Sequence, residues 1–197
     1  MFTLRNVSTG SPIQAESDQY EQLISLGQGG ALQTAAVDGR MFSVANQAAV
    51  ATTAALATTW TGLGVANPAG SGKNLVVHEF GWALSVAGAK AGAVGLMTAA
   101  TTGFASQIVT IRNCLDGDST ASIAYTEDGC TIATPVLRRV YGDYGTVATT
   151  AVSTRGAHIV DLDGSLIIPP GRSVLTYTTL DTTAAFVFHF VWEEVPE

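Results

Sequence analysis

Residues 184–192 read Ala-Ala-Phe-Val-Phe-His-Phe-Val-Trp, and this stretch decides the fold class of the chain. Aromatic residues at every second position alternate with Val187, His189 and Val191. A period of two is the pattern of a β-strand and places the aromatic side chains on one face. Because the opposite face is also largely apolar, we expect a central strand that is covered on both faces, on its outer side by a partner or by the N-terminal arm.

An upstream stretch, residues 74–86, shows the same alternation and predicts a second strand. The set expected to face the core comprises Val76, His78, Phe80, Trp82, Leu84 and Val86. The set expected on the other side comprises Glu79, Gly81 and Ser85. Short runs rich in β-branched and aromatic residues predict further strands near residues 93–102, 107–113, 122–126, 131–140, 146–152, 158–162, 173–179 and 184–192.

Turns are predicted where Asp and Gly fall together, since both residues tolerate the positive φ of tight hairpins. These sites are Asp116-Gly117, Asp128-Gly129, Asp143-Tyr144-Gly145 and Asp163-Gly164. The strand number and spacing predict an all-β fold, an antiparallel double-sheet sandwich resembling a jelly roll, over residues 41–197. The Ala-rich residues 48–57 leave a short helix open as an alternative.

Residues 1–40 lack a sustained period and contain the Gly-Gln-Gly-Gly run at 27–30. We interpret them as an extended N-terminal arm that orders against another surface, with a disordered tail as the alternative. Tyr20, Leu23 and Ile24 stand at helical spacing and are expected to make partner contacts.

Composition limits the classes of function. Only 13% of the 197 residues are charged while 47% are hydrophobic, against about 25% charged in typical soluble proteins. We therefore expect much of the surface to be covered by copies of the chain or by neighbours. With 9 basic and 16 acidic residues the net charge is −7, which argues against nucleic acid as a partner.

Two long charge-free stretches, residues 41–72 and 91–111, are rich in Ala, Thr and Gly. Such a composition gains too little on leaving water to span a bilayer, so no membrane partner is expected. The first residues show no signal peptide, which predicts assembly in the cytoplasm.

Cysteine and phosphate-loop motifs give no positive indication of chemistry. Cys114 and Cys130 match neither a disulfide framework nor a zinc pattern, so we expect packed free thiols. Gly70-Ser71-Gly72-Lys73 lacks the Gly at 67 and the hydroxyl residue at 74 that a phosphate-binding loop requires. We expect no cofactor.

His78, His158 and His189 lie in predicted strands and could converge as metal ligands or acid–base groups. The interpretation we favour is that each is a core or interface imidazole, hydrogen-bonded to backbone. We therefore expect no metal site and no enzymatic activity.

A basic pair, Arg138 and Arg139, stands beside Tyr141 and Tyr144. This pair could bind an anionic surface or a sugar, or it could form an ion pair between subunits. Phe188 is expected to be essential for folding or assembly. The residues predicted at partner interfaces are thus Tyr20, Leu23, Ile24, Arg138, Arg139 and Phe188.

Residues 59–77 read Thr-Trp-Thr-Gly-Leu-Gly-Val-Ala-Asn-Pro-Ala-Gly-Ser-Gly-Lys-Asn-Leu-Val-Val. This stretch resembles small structural proteins of tailed bacteriophages and, more loosely, the jelly-roll head-decoration or cement proteins that sit as trimers on capsids. The likeness covers residues 42–90 and the general β pattern.

The resemblance implies a non-enzymatic virion protein, homotrimeric, on the capsid exterior, which bridges copies of the major capsid protein. The alternative is a receptor-binding or tail-fibre-tip protein that presents Tyr141 and Tyr144 to host glycan. A sugar- or metal-dependent enzyme and an intracellular oligomer unrelated to viruses also remain open.

Overall fold

The computed structural model describes residues 3–5, 12–14, 30–86, 92–115, 122–144, 157–179 and 185–197. Its elements are β1 (Thr3–Arg5), β2 (Pro12–Gln14), α1 (Ala31–Val37), β3 (Met41–Ala45), β4 (Val50–Ala51), β5 (Thr59–Asn67), β6 (Lys73–Val86), β7 (Gly92–Ala100), β8 (Ile111–Asn113), β9 (Tyr125–Thr131), β10 (Ala133–Tyr144), β11 (Ala157–Ile168), β12 (Arg172–Thr178) and β13 (Ala185–Pro196).

Two antiparallel sheets pack against each other and confirm the predicted all-β double-sheet sandwich. The five-stranded sheet has the order β10-β7-β12-β5-β9. The six-stranded sheet has the order β11-β6-β13-β3-β8, with β4 paired to β13. β1 and β2 form a separate antiparallel pair.

The core between the sheets is built around β13, which lies between β6 and β3 as the alternating aromatics predicted. Phe186, Phe188, Phe190 and Trp192 are fully buried. Phe80 of β6 extends this cluster, with its ring centroid 5.1 Å from that of Phe190. The sequence also predicted that the other face of β13 is covered. The chain itself covers that face only in part, since Val187 is 37% exposed.

A β-bulge in β6 changes which residues face the core. Successive residues of β13, Val191 and Trp192, pair with Glu79 and Val77, so His78 is an extra residue in β6. In β11 the register jumps at the same level, and residues 162–165 lie opposite His78. A bulge bends the strand and reverses the side-chain alternation that follows it.

The predicted buried set of β6 is therefore correct only between this bulge and a second register shift at Ser85, where Ala185 and Phe186 of β13 pair with Val86 and Leu84. Phe80 and Trp82 belong to the core, whereas before the bulge the core residues are Leu75 and Val77. The prediction that Val76, His78 and Val86 face the core is wrong. A period of two in the sequence does not reveal an inserted residue, because the insertion is defined only by the partner strand.

Two Asp-Gly pairs predicted as turns lie inside strands. Asp128-Gly129 is part of β9, and Asp163-Gly164 is part of β11. Asp163 and Gly164 both have positive φ, 46° and 71°, which here produces the bulge of β11 instead of a hairpin. Residues 48–57 contain β4 and turns, so the helical alternative is wrong.

Other strand predictions shift in extent or fall outside the description. β8 and β9 differ in extent from the strands predicted at residues 107–113 and 122–126. β3 and β5 were not individually predicted. The strand predicted at 146–152 and the turn predicted at 116–117 lie outside the described residues.

The five-stranded sheet has a second hydrophobic cluster on the side away from the core. Val174 faces the core, so its neighbour Leu175 points to the opposite side, where it joins Trp60, Met97 and Phe104. Leu175 and Met97 are fully buried and Phe104 is 6% exposed. The chain itself therefore covers the central strands of this sheet, while Leu137 and Val140 on the edge strand β10 stay exposed.

The predicted boundary at residue 40 falls after a packed helix. Ala35 of α1 is buried, and the backbone N–H of Glu194 donates to the carbonyl of Arg40. Residues 31–40 thus pack with the sandwich, while most of the predicted arm lies outside the described residues. Among the helices of the described segments, none is long and apolar enough to cross a membrane.

Phe188→Ala should lower the free energy of unfolding by roughly 3–5 kcal/mol, because it removes a fully buried ring from the core. The matched control is Val187→Ala on the other face of the same strand, with an expected loss under about 1 kcal/mol. Chemical denaturation at low protein concentration measures both. Equal losses would contradict the assignment of the two faces.

Candidate functional site

The six-stranded sheet turns one face to the core and the other, here named the outer face, away from it. The outer face consists of Ile159, Asp161 and Ile167 of β11; Val76, His78, Glu79, Gly81 and Ala83 of β6; Val187, His189, Val191 and Glu193 of β13; Met41, Ser43 and Ala45 of β3; and Arg112 of β8. Apolar side chains on it remain open to solvent: Ile159 is 62% and Ile167 is 54% exposed.

His189 lies flat across the outer face. Gly81 of the adjacent strand makes this possible, because a Cβ at that position would overlap the imidazole ring. His189 Nε2 lies 2.7 Å from Glu79 Oε1, and both side chains are about one-third exposed. The histidine is thus held between a glycine beneath it and a carboxylate beside it.

His78 belongs to a second polar group at the bulge of β6. His78 Nε2 lies 3.5 Å from Glu193 Oε2, while Glu193 Oε1 contacts the Arg40 guanidinium. Arg40 Nη2 also lies 3.3 Å from Asp38 Oδ2. Burial lowers the pKa of His78, and the charge of Asp163 opposes this lowering only in part. His78 is therefore neutral at neutral pH.

The three histidines do not converge. His158 stacks on Trp82 with ring centroids 4.8 Å apart, whereas His189 bonds Glu79 and the buried Nε2 of His78 has no hydrogen-bond partner among the described residues. Across the described segments, no group of three or more His, Cys, Asp or Glu side chains could hold a metal ion. His189 is hydrogen-bonded to a side chain, where the sequence predicted a backbone partner.

Arg138 and Arg139, the basic pair predicted at an interface, differ in their surroundings. Arg139 Nη1 donates to Ser165 Oγ at 3.0 Å and Nη2 donates to the Ser165 carbonyl at 3.1 Å, which links β10 to the bulge of β11. Arg138 is exposed. Arg139 therefore serves a contact within the chain.

Tyr141 and Tyr144, expected to present their rings to a ligand, pack inward. Tyr144 is 4% exposed and meets Phe186 edge-on at 5.1 Å, while Tyr141 lies 6.0 Å from Phe80. Burial raises the pKa of both phenols. Tyr144 offers no free surface for stacking on glycan, and Tyr141 is partly buried against the core.

Phe188, predicted at an interface or in the core, lies in the core at 0% exposure. Its ring is therefore inaccessible to a partner, which corrects the interface assignment. The remaining predicted contact residues, Tyr20, Leu23 and Ile24, lie outside the described residues.

Both cysteines are free thiols, as predicted, but Cys114 is exposed and not packed. Burial, with a smaller contribution from Glu127, raises the pKa of Cys130 to about 11. Burial also raises the pKa of Cys114, where a hydrogen bond with Ser43 acts in the opposite direction and the charge of Glu79 adds to the rise. Both thiols are protonated at neutral pH, so neither is a nucleophilic thiolate.

The sheet edges are poorly suited to pairing with another strand. β10 has three register shifts against β7, and β11 carries the bulge at residues 162–165. β8 is only 3 residues long, and β9 is bridged by Gln107 through Thr126. Irregular, short or covered edges resist strand addition. Among the described residues, the β11 side of the outer face, with Ile159 and Ile167, is a broad sheet surface that remains exposed.

Sequence reasoning missed the groups beside the two histidines: Glu79, which bonds His189, and Glu193, which lies near His78 and pairs with Arg40. Glu79 and Gly81 stand two residues apart in a predicted strand. The sequence therefore indicates that a carboxylate and a glycine share one face of that strand. The pairing itself joins positions 110 residues apart, so only the strand register reveals it.

His78→Gln should reduce the loss of stability at acid pH. The pKa of His78 is lower in the folded chain than its ordinary value of 6.5, so the unfolded chain binds the proton more readily. The contribution of neutral His78 is fully present above pH 6.5 and is lost as pH falls from that value through the lower pKa of the folded chain.

Urea denaturation at about pH 7.5 and about pH 5.5 tests this dependence. The difference in unfolding free energy between the two pH values should be smaller in His78→Gln than in the wild type. His158→Gln, distant from the bulge, is the control and should leave the contribution of His78 intact. An unchanged pH difference in His78→Gln would contradict the assignment.

Comparison with known proteins gives no family. No protein-family model matches the sequence, no curated protein matches it, and no solved structure matches the fold. The outer face and its paired charges are therefore the basis for a functional proposal.

Proposed function

We propose that this chain is a non-enzymatic virion structural protein, a capsid-decoration or cement protein that stabilises the head by bridging major capsid proteins. The observation that carries the proposal is that the chain covers the outward-facing sides of its two sheets to different extents. Trp60, Met97, Phe104 and Leu175 cover the central strands of one sheet from within the chain, whereas Ile159, Ile167 and Val187 on the outer face of the other sheet stay exposed. One open face suits a subunit that lies flat against another folded surface.

The charged groups of the outer face suit burial in an assembly. Glu79 is already bound to His189, and Glu193 to Arg40. An unpaired charge is costly to bury, while a charge that keeps its partner costs less. Around these pairs, Val187 and Ile159 supply apolar area that gains free energy on leaving water.

Composition and resemblance support the same function. A net charge of −7 suits the outside of a DNA-filled shell better than its lining. The class of particle that we propose rests on the resemblance of residues 42–90 to phage structural proteins. The homotrimer and the jelly-roll relationship implied by that similarity remain predictions.

The receptor-binding alternative receives less support from the geometry. Its proposed ligand contacts, Tyr141 and Tyr144, pack against Phe80 and Phe186. Copy number separates the two functions, because a decoration protein covers the shell while a fibre-tip protein occupies few positions.

Wild-type protein should sediment with shells assembled from the major capsid protein, in amounts that scale with the capsid protein. Val187→Asp should weaken this binding by roughly tenfold, or ~1.4 kcal/mol, because it places a new unpaired charge in the contact. Val136→Asp, which changes a 54% exposed valine on β10, is the matched control and should bind like the wild type. No sedimentation of the wild type, or saturation at a few copies per shell, would refute the decoration role.

Removal of residues 1–29 should abolish shell binding and preserve the fold. The deletion keeps α1, whose residue Ala35 is buried against the sandwich. Circular dichroism and the thermal transition check folding, and co-sedimentation checks binding. Shell occupancy equal to that of the full chain would show that the arm has no role in attachment.

A further inference from the structure

The edge strand β10 keeps apolar residues exposed on the outward side of the five-stranded sheet. Leu137 pairs with Met97, which belongs to the hydrophobic cluster on that side, and Val140 pairs with Gly95. Leu137 and Val140 therefore point outward as well. Their exposed fractions are 38% and 52%, so the cover that the chain gives to the central strands of this sheet ends before β10.

A basic residue separates these two apolar side chains. The register shift between Leu137 and Arg139 makes Arg138 an extra residue of β10. Arg138 is exposed and has no ion pair with any described residue. Arg139 bonds to Ser165, which carries no charge. In a chain of net charge −7, β10 has two arginines and one acidic residue, Asp143, near its end. Arg138 and the two apolar residues are here named the β10 strip.

One segment of the chain has the opposite charge and a similar apolar content. Residues 15–26, here named the acidic segment, read Ala-Glu-Ser-Asp-Gln-Tyr-Glu-Gln-Leu-Ile-Ser-Leu. Three of these residues are acidic and none is basic. Tyr20, Leu23 and Ile24 stand at the spacing of one helical face. The segment precedes α1 and lies outside the described residues.

We propose that the acidic segment of one copy docks on the β10 strip of a neighbouring copy. Its apolar side chains cover Leu137 and Val140, and its carboxylates face Arg138. The contact joins opposite charges and removes apolar area from water on both partners. Because it uses two different surfaces, copies exchange segments within a pair or pass them around a ring.

Charge disfavours the other exposed apolar surface as the docking site. The β11 side of the outer face carries Asp161 and Asp163 beside Ile159, and both aspartates are exposed. Like charges opposed across an interface cost several kcal/mol. The acidic segment is therefore better placed on β10, which leaves the outer face available for the shell.

The position of α1 favours the segment of a neighbour over the chain's own. The end of α1 lies at the β3–β8 side of the six-stranded sheet, where the Asn113 side chain donates to the Gly39 carbonyl. β10 borders the other sheet beside β11, at the opposite side of the sandwich. Three strand spacings and the thickness of both sheets with their side chains make this path roughly 35 Å.

The chain's own segment is too short for that path. Ile24 precedes Gly30 by six residues, which reach about 20 Å when fully extended. The seven residues of α1 add about 10 Å. The chain's own Ile24 thus falls short of the strip even without helical structure. A neighbouring copy can present the segment at any distance from its own α1.

This contact uses a surface different from the one that the proposed function assigns to the shell, and it does not require a shell. Linked copies would present several outer faces at once, which raises avidity for a repeating surface. A monomer that sediments with shells would refute only the segment contact. An oligomer that ignores shells would refute only the decoration role. Val187→Asp, designed to weaken shell binding, should leave the oligomer mass unchanged.

Light scattering coupled to size exclusion, over a range of concentrations, should give at least twice the chain mass of 20.3 kDa. Leu137→Asp should weaken association by at least about tenfold, because it sets a carboxylate against the acidic segment. The matched control is Val136→Asp. Val136 is 54% exposed but pairs with Thr98 and points to the other side of β10, so association should persist. A monomer at every concentration, or equal effects of the two variants, would overturn the proposal.

Mixing two full-length variants tests which surfaces meet. Leu23→Asp with Ile24→Asp alters the segment and keeps the strip, whereas Leu137→Asp alters the strip and keeps the segment. Each should be impaired alone, and the mixture should associate one to one, because one intact segment meets one intact strip. A chain carrying all three changes is the control and should not associate with Leu137→Asp. Circular dichroism verifies the fold of each variant. No association in the mixture would refute the contact.

Arg138 allows a separate test of the charge complementarity. Arg138→Glu should weaken association by at least about tenfold, because it opposes the acidic segment with a like charge. Arg138→Lys keeps the positive charge and should associate within a few-fold of the wild type. Sedimentation equilibrium measures both dissociation constants. Equal dissociation constants for the two variants would refute the placement of the acidic segment on this strip.

Discussion

The stacking of the β13 aromatics against β6 is the interaction on which the rest of the structure depends. Phe188 and Phe186 stack with centroids 5.3 Å apart, and Phe80 meets both Phe188 and Phe190. Fully buried aromatic side chains contribute more hydrophobic area than any others in a core. These rings all occupy one face of β13. Its other face therefore carries the residues that point away from the core, Val187, His189, Val191 and Glu193.

The bulge at His78 determines how that outward face is composed. By inserting one residue, it allows Leu75 and Val77 to fill one end of the core while Phe80 and Trp82 fill the other. The same insertion moves His78 to the outer face, beside Glu193. The larger bulge in β11 faces it and is held to β10 by Arg139. One irregularity thus serves both core packing and the charge pattern of the surface.

The two sheets differ in what covers them, and this difference connects the fold with the proposed assembly. Loops of the chain bury Met97 and Leu175 on one sheet, whereas Val187 and Ile159 on the other remain in contact with solvent. Glu79 and Glu193 accompany these apolar groups and can be covered without losing their partners, His189 and Arg40.

The sequence by itself determined the all-β class, the existence of β6 and the central position of β13, because a period of two with bulky apolar residues has few other structural solutions. It also indicated an acidic, sparsely charged surface. Only the tertiary structure decided that Asp163-Gly164 bends a strand, that His78 turns outward and that His189 binds Glu79. Those outcomes depend on the register between strands distant in the chain, and a local pattern carries no information about which residues the register brings together.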